Sequence, residues 1–85
     1  MALFVIERNF AEAIEIDADD PNIRAINDDV GVKWLYSFLS ADKKKTYCLY
    51  EATSADAIRE AAQRAGIPAD VITEVDNAKG PAPAA

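Results

Sequence analysis

The chain has 85 residues, 51% of them hydrophobic, and a formal net charge of −6. It is therefore one folded domain at most, too apolar for wholesale disorder and too acidic to hold a phosphate backbone. It has no histidine and one cysteine, which excludes HExxH zinc sites, Ser-His-Asp triads, Cys-His dyads and an intrachain disulfide.

The start, Met1-Ala2-Leu3-Phe4-Val5-Ile6-Glu7-Arg8, is a short apolar run with no basic n-region, so it does not read as a signal peptide. No apolar stretch approaches membrane-spanning length. The expectation is a soluble cytoplasmic protein with no nucleic-acid and no membrane partner. At this size folding buries only about 63% of the chain's surface, so a partner subunit would help stability.

Leu3 to Arg8 is short, β-branched and aromatic, and reads as a strand. Asn9 to Asp20 is acidic and irregular. Asp20-Pro21 starts a helix, with Asp20 as N-cap and Pro21 at the first helical position. Ile23, Ile26 and Val30 give that helix its apolar stripe, and Gly31 stops it. Val32 to Ser40 is a strand rich in Trp, Tyr and Phe. Ala41-Asp42-Lys43-Lys44 is a polar turn, and Thr46 to Glu51 returns as the second arm of a hairpin. Thr53-Ser54-Ala55-Asp56 caps a second helix with the apolar face Ala57, Ile58, Ala61, Ala62 and Ala65, closed by Gly66 and Pro68. Val71 to Val75 is the last strand. The order β-α-β-β-α-β predicts an α+β, ferredoxin-like fold over residues 1–75, a four-stranded antiparallel sheet with two helices on one face. The Ala/Pro-rich stretch 76–85 is expected to be a disordered tail.

Such a sheet leaves its second face bare. A turn centred on Asp42-Lys43 pairs Phe38 with Tyr47, Tyr36 with Leu49 and Trp34 with Glu51. Alternation then puts all six side chains on one face, and Leu35, Ser37, Leu39, Thr46, Cys48 and Tyr50 on the other. The small residues of the second set suit the alanine-rich helix, so Trp34, Tyr36, Phe38, Tyr47 and Leu49 are assigned to the open face. A one-residue slip would scramble the assignment. An aromatic face of this kind needs a cover, and the simplest is a second copy of the chain. Trp34, Tyr36 and Tyr47 with the carboxylate of Glu51 form the candidate ligand-binding pocket.

The other constellations have plainer accounts. Cys48 has no His to activate it and reads as a small buried hydrophobe. Glu12, Glu15, Asp17, Asp19 and Asp20 cluster before the first helix but lack the turn glycine and distant Glu of a calcium loop, so they read as a solvated segment. Lys43-Lys44-Lys45 reads as a charged turn that keeps a hairpin soluble.

Trp34-Leu35-Tyr36-Ser37, Cys48-Leu49-Tyr50-Glu51-Ala52, Ala57-Ile58-Arg59-Glu60, Ala65-Gly66-Ile67-Pro68-Ala69-Asp70 and Glu74-Val75 resemble, in order, a small bacterial family of nickel-binding-protein-like domains of unknown function. The resemblance spans residues 3 to 75. It implies a ferredoxin-like homodimer and a divalent-metal function. The family carries His after the helical Arg-Glu pair, where this chain has Ala61. Imidazole is the natural side-chain ligand for nickel, so no metal ligand, no cofactor and no catalytic residue is assigned. The expected function is a homodimeric binding protein for a small molecule or a divalent metal ion. The alternative is a cofactor-independent dimeric α+β barrel enzyme, with Glu51 and Tyr36 or Tyr47 as its acid and base.

Overall fold

A computed structural model describes residues 1–17 and 19–79. It contains β1 (Ala2–Asn9), α1 (Pro21–Val30), β2 (Lys33–Leu39), β3 (Lys45–Ala52), α2 (Ala55–Ala65) and β4 (Val71–Val75). The element order matches the prediction. β1 and β3 each run one residue further at both ends than expected, and β2 is one residue shorter at both ends. Of the tail assigned to 76–85, residues 76–79 carry neither helix nor strand, and 80–85 lie outside the described residues.

The strands form one antiparallel sheet in the order β2-β3-β1-β4. This is the ferredoxin-like α+β arrangement, with β1 and β3 central because each has a neighbour on both sides.

Both helices are set by local chemistry. The Asp20 carboxylate accepts from the Asn22 N–H at 2.9 Å, which satisfies one of the orphan donors of α1. The Ser54 hydroxyl does the same for Ala57 of α2 at 3.2 Å. Gly31 and Gly66 end the helices at φ +73° and +71°, a left-handed conformation that glycine adopts without a Cβ penalty. The next residues then fold back, with Val32 N–H on Asn27 O at 2.9 Å and Ile67 N–H on Ala62 O at 3.0 Å. Val32 therefore leaves the strand assigned to it and is buried under the end of α1.

The core lies between the sheet and the two helices. Phe4 and Ile6 of β1, Cys48, Tyr50 and Ala52 of β3, Ile26 of α1 and Ile58 and Ala61 of α2 are its buried members. Cys48 is buried, as its sequence context suggested. Ala61 and Ala62 let α2 lie close to the sheet, and Ile6 and Ile58 are the largest side chains wholly removed from solvent. On the solvent side, Arg64 of α2 pairs with Asp29 of α1 at 2.7 Å, an exposed tie of small energetic weight.

The core predicts its own sensitivity. Ile58→Ala should lower the unfolding free energy by about 2–5 kcal/mol, measured by urea denaturation. A loss below about 1 kcal/mol would mean that α2 does not seal the sheet in this register.

Candidate functional site

The two sides of the sheet differ in chemistry, and a β-bulge decides which side chains go where. Phe38 faces Tyr47 and Tyr36 faces Leu49, as the hairpin reading requires. The register then shifts between Tyr36 and Trp34, so Trp34 pairs with Tyr50, and Lys33 takes the place opposite Glu51. Leu35 is the extra residue of the bulge. One added residue reverses the alternation beyond it, and Trp34 passes to the helical side, where it packs against the core. This corrects the assignment of Trp34 to the open face. The candidate pocket of Trp34, Tyr36, Tyr47 and Glu51 is split: Tyr36, Tyr47 and Glu51 stay on the open face and Trp34 leaves it.

The bulge also creates a hydrogen bond that regular alternation forbids. The Trp34 indole N–H donates to the Ser37 hydroxyl at 2.6 Å. Residues three apart on a regular strand point to opposite faces, and the bulge brings these two together.

Trp34 and Ser37 line a cleft of about 280 Å³ on the helical side of the sheet. One wall is the sheet, through Arg8, Thr46, Cys48 and Tyr50. The opposite wall is the segment between β1 and α1, which contributes Phe10, Ile14 and Ile16. That segment hangs on the hairpin turn, where the Phe10 N–H donates to Lys44 O and the Ile14 N–H to Lys43 O, both at 2.8 Å. Lys43 itself takes φ +63°, a left-handed position that tightens the turn. Glu15 reaches back to Lys43 at 2.5 Å. The acidic segment is thus a strap across one end of the sheet, and its isoleucines face the cleft. A second cleft of about 500 Å³ lies beside Ile23, Asn27 and Val32, and Trp34 lines both.

Arg8 is the unusual member of the first cleft. It follows Phe4 and Ile6 on the helix-facing side of β1 and is 4% exposed. Its guanidinium donates to Pro68 O at 2.6 Å and to the Tyr50 hydroxyl at 3.3 Å, and it lies 5.7 Å from the Tyr50 ring centroid. The other arginines pair with carboxylates: Arg24 with Asp19, Arg59 with Asp56, and Arg64 with Asp29 and Glu60. Among the described residues Arg8 makes no ion pair. Buried charges are ordinarily paired, so this cation stands out in a chain of net charge −6. Directly opposite it on β3 is Thr46, whose buried hydroxyl has no hydrogen-bond partner among the described residues. Burial pushes the Tyr50 phenol above its ordinary value of 10.0, with Arg8 acting in the opposite sense and Cys48 in the same sense.

Sequence reasoning missed Arg8, Phe10, Ile14, Ile16, Ser37 and Thr46 as cleft residues. The signal for Arg8 was its parity with Phe4 and Ile6. The signal for the strap was three apolar residues inside an acidic run.

A family model described as nickel responsive protein SCO4226-like matches residues 4–75. The chain belongs to the SCO4226-like family. The crystal structure of SCO4226 from Streptomyces coelicolor A3(2) matches with a TM-score of 0.75 at 26% identity, covering 92% of this chain and 100% of that one. No curated protein matches. For this member of the SCO4226-like family, a nickel centre does not fit the residues of the single chain. The chain has no imidazole. Among the described residues no three of His, Cys, Asp or Glu come together to hold a metal. Glu15, Asp17 and Asp20 line the cleft without gathering as a ligand set, and its buried charge, Arg8, is itself a cation, which repels another.

Two outcomes follow from this geometry. Trp34→Ala should cost about 3 kcal/mol, the low end for a buried aromatic because the indole is only half-buried, and it should leave the subunit count unchanged by light scattering. Loss of subunit association without loss of protomer stability would return the indole to the open face. The folded state holds the Tyr50 proton more tightly than the unfolded chain, so that contribution to stability is intact below about pH 10 and is lost as pH rises through the folded value. The unfolding free energy should fall above pH 10, and less steeply in Tyr50→Phe.

Proposed function

We propose that the protein is a small homodimeric binding protein, which holds a small organic ligand in the helical-side cleft of each protomer and dimerises through the open face of its sheet. The observation that carries the binding reading is the cleft itself, in which apolar side chains meet a buried guanidinium that has no ion pair among the described residues and a buried hydroxyl without a partner there. A few polar groups converging in an apolar concavity are the ordinary form of a small-molecule site.

The dimer reading rests on the open face. Tyr36 and Phe38 pack edge to face at 5.1 Å yet are 61% and 63% exposed. Tyr47, Val71, Leu3, Val5 and Leu49 extend the apolar surface across all four strands. Its charges are Glu7 with Lys45 at 3.7 Å and Glu51 opposite Lys33. The face is therefore neutral, while the chain as a whole carries −6. Two copies meet across it without the repulsion their net charge imposes elsewhere. Glu51, Tyr36 and Tyr47, the acid–base groups of the enzyme alternative, lie on this subunit surface and away from the cleft.

Native mass spectrometry of the purified protein, repeated with nickel added, tests the reading. Two chains carrying a small organic mass are expected, with no stoichiometric nickel. A bare monomer overturns it. Phe38→Glu enters a two-fold interface twice and should shift the protein to monomer in light scattering, with the far-UV spectrum retained. An unchanged dimer would place the contact on another surface.

A further inference from the structure

We propose that the cleft ligand is a small monocarboxylate with an apolar body, its carboxylate held by Arg8 and Thr46. The proposal rests on the cleft being a binding site, as argued above, and names what that site recognises. Two observations and one rule of geometry point the same way. The guanidinium has five N–H donors in a planar fork, of which the bonds to Pro68 and Tyr50 take two. A carboxylate is the anion whose geometry matches such a fork. Thr46, directly across from Arg8 in the sheet, lines the same cleft, and its buried hydroxyl lacks a partner among the described residues.

The remaining lining sets the rest of the ligand. Phe10, Ile14, Ile16, Ile23, Trp34 and Ile67 surround the polar end with apolar surface, which suits a hydrocarbon body. The volume of about 280 Å³ is that of roughly nine liquid waters, enough for one ring or a short branched chain. Glu15, Asp17 and Asp20 also line the cleft. A second carboxylate on the ligand would face them, so the site selects one negative charge. Phosphate esters, doubly charged at neutral pH, are disfavoured on the same ground.

The test uses the 85-residue chain and the emission of Trp34, its only tryptophan, with calorimetry as a second readout. The probes are benzoate, phenylacetate and isovalerate, their uncharged amides, succinate, and nickel chloride. At least one monocarboxylate should bind saturably, at least about tenfold tighter than its own amide, since the amide cannot form the bidentate ion pair with the guanidinium. Succinate and nickel should bind more weakly still. Arg8→Gln should lower the affinity at least about tenfold, and Thr46→Val should lower it a few-fold with the fold retained. If Arg8→Gln does not fold, the acid-against-amide ratio on the unaltered protein and the Thr46→Val variant decide. An amide that binds as tightly as its acid overturns the carboxylate assignment and leaves a neutral-ligand cleft standing. Absence of binding by every probe up to about 20 mM, beyond the range of weak millimolar ligands, overturns the cleft reading as well.

Discussion

A sheet that is apolar on both faces must be covered on both, and this chain supplies helices for only one. β1 alternates Leu3 and Val5 on one side with Phe4 and Ile6 on the other. β3 sets Tyr47 and Leu49 against Cys48 and Tyr50. With α1 and α2 both committed to the side of Phe4, Ile6 and Cys48, the remaining face keeps its aromatics in water. Antiparallel sheets tolerate a wet face when that face is polar, and this one is not. The division of labour follows: the helical side has the depth for a cleft, and the open side has the flat area for a partner.

The bulge at Leu35 sharpens that division. β2 is an edge strand, where an extra residue disturbs the fewest ladder bonds. Without it Trp34 would join Tyr36 and Phe38 on the open face, and the cleft would lose the ring that lines it. With it, the largest side chain in the protein forms a wall between two cavities and is oriented by Ser37. One residue of register thus moves a whole indole from the open face to the interior side.

The element order, both caps, both glycine stops and the hairpin register from Phe38 to Tyr36 were legible because each has a local chemical cause. A capping carboxylate, a glycine with positive φ and a polar turn act within a few residues, and their signals are correspondingly compact. The site was less legible. Trp34-Leu35-Tyr36 is apolar at every position, so neither face marks itself as inside, and no glycine announces the bulge. Arg8 sits in a strand whose two faces are both apolar, and its inward parity shows only once α1 and α2 have chosen a side. The strap from Phe10 to Ile16 reads as acidic because the run from Asn9 to Asp20 that contains it holds five carboxylates against three large apolar side chains. Its fold depends on backbone bonds to Lys43 and Lys44, which lie some thirty residues away, and no local pattern encodes those.

Arg8 remains the feature that folding alone does not require. Burying a guanidinium costs several kcal/mol of hydration, and a carbonyl, a phenol and a ring face offset only part of that. A leucine or methionine at this position would fill the space without the cost. Three arginines on the surface have acids beside them, where ion pairs contribute little, while the one that is buried pairs with none among the described residues. Groups kept against the interest of stability concentrate at functional sites. The electrostatics also separate two scales. At long range the net charge of −6 draws cations toward the surface. Inside the cleft, where screening is weakest, the preference depends on position: Glu15, Asp17 and Asp20 carry negative charge on the lining, and Arg8 is a buried point of positive charge. A single carboxylate attached to an apolar body meets weak repulsion outside and a complementary charge at Arg8, whereas a cation meets repulsion there.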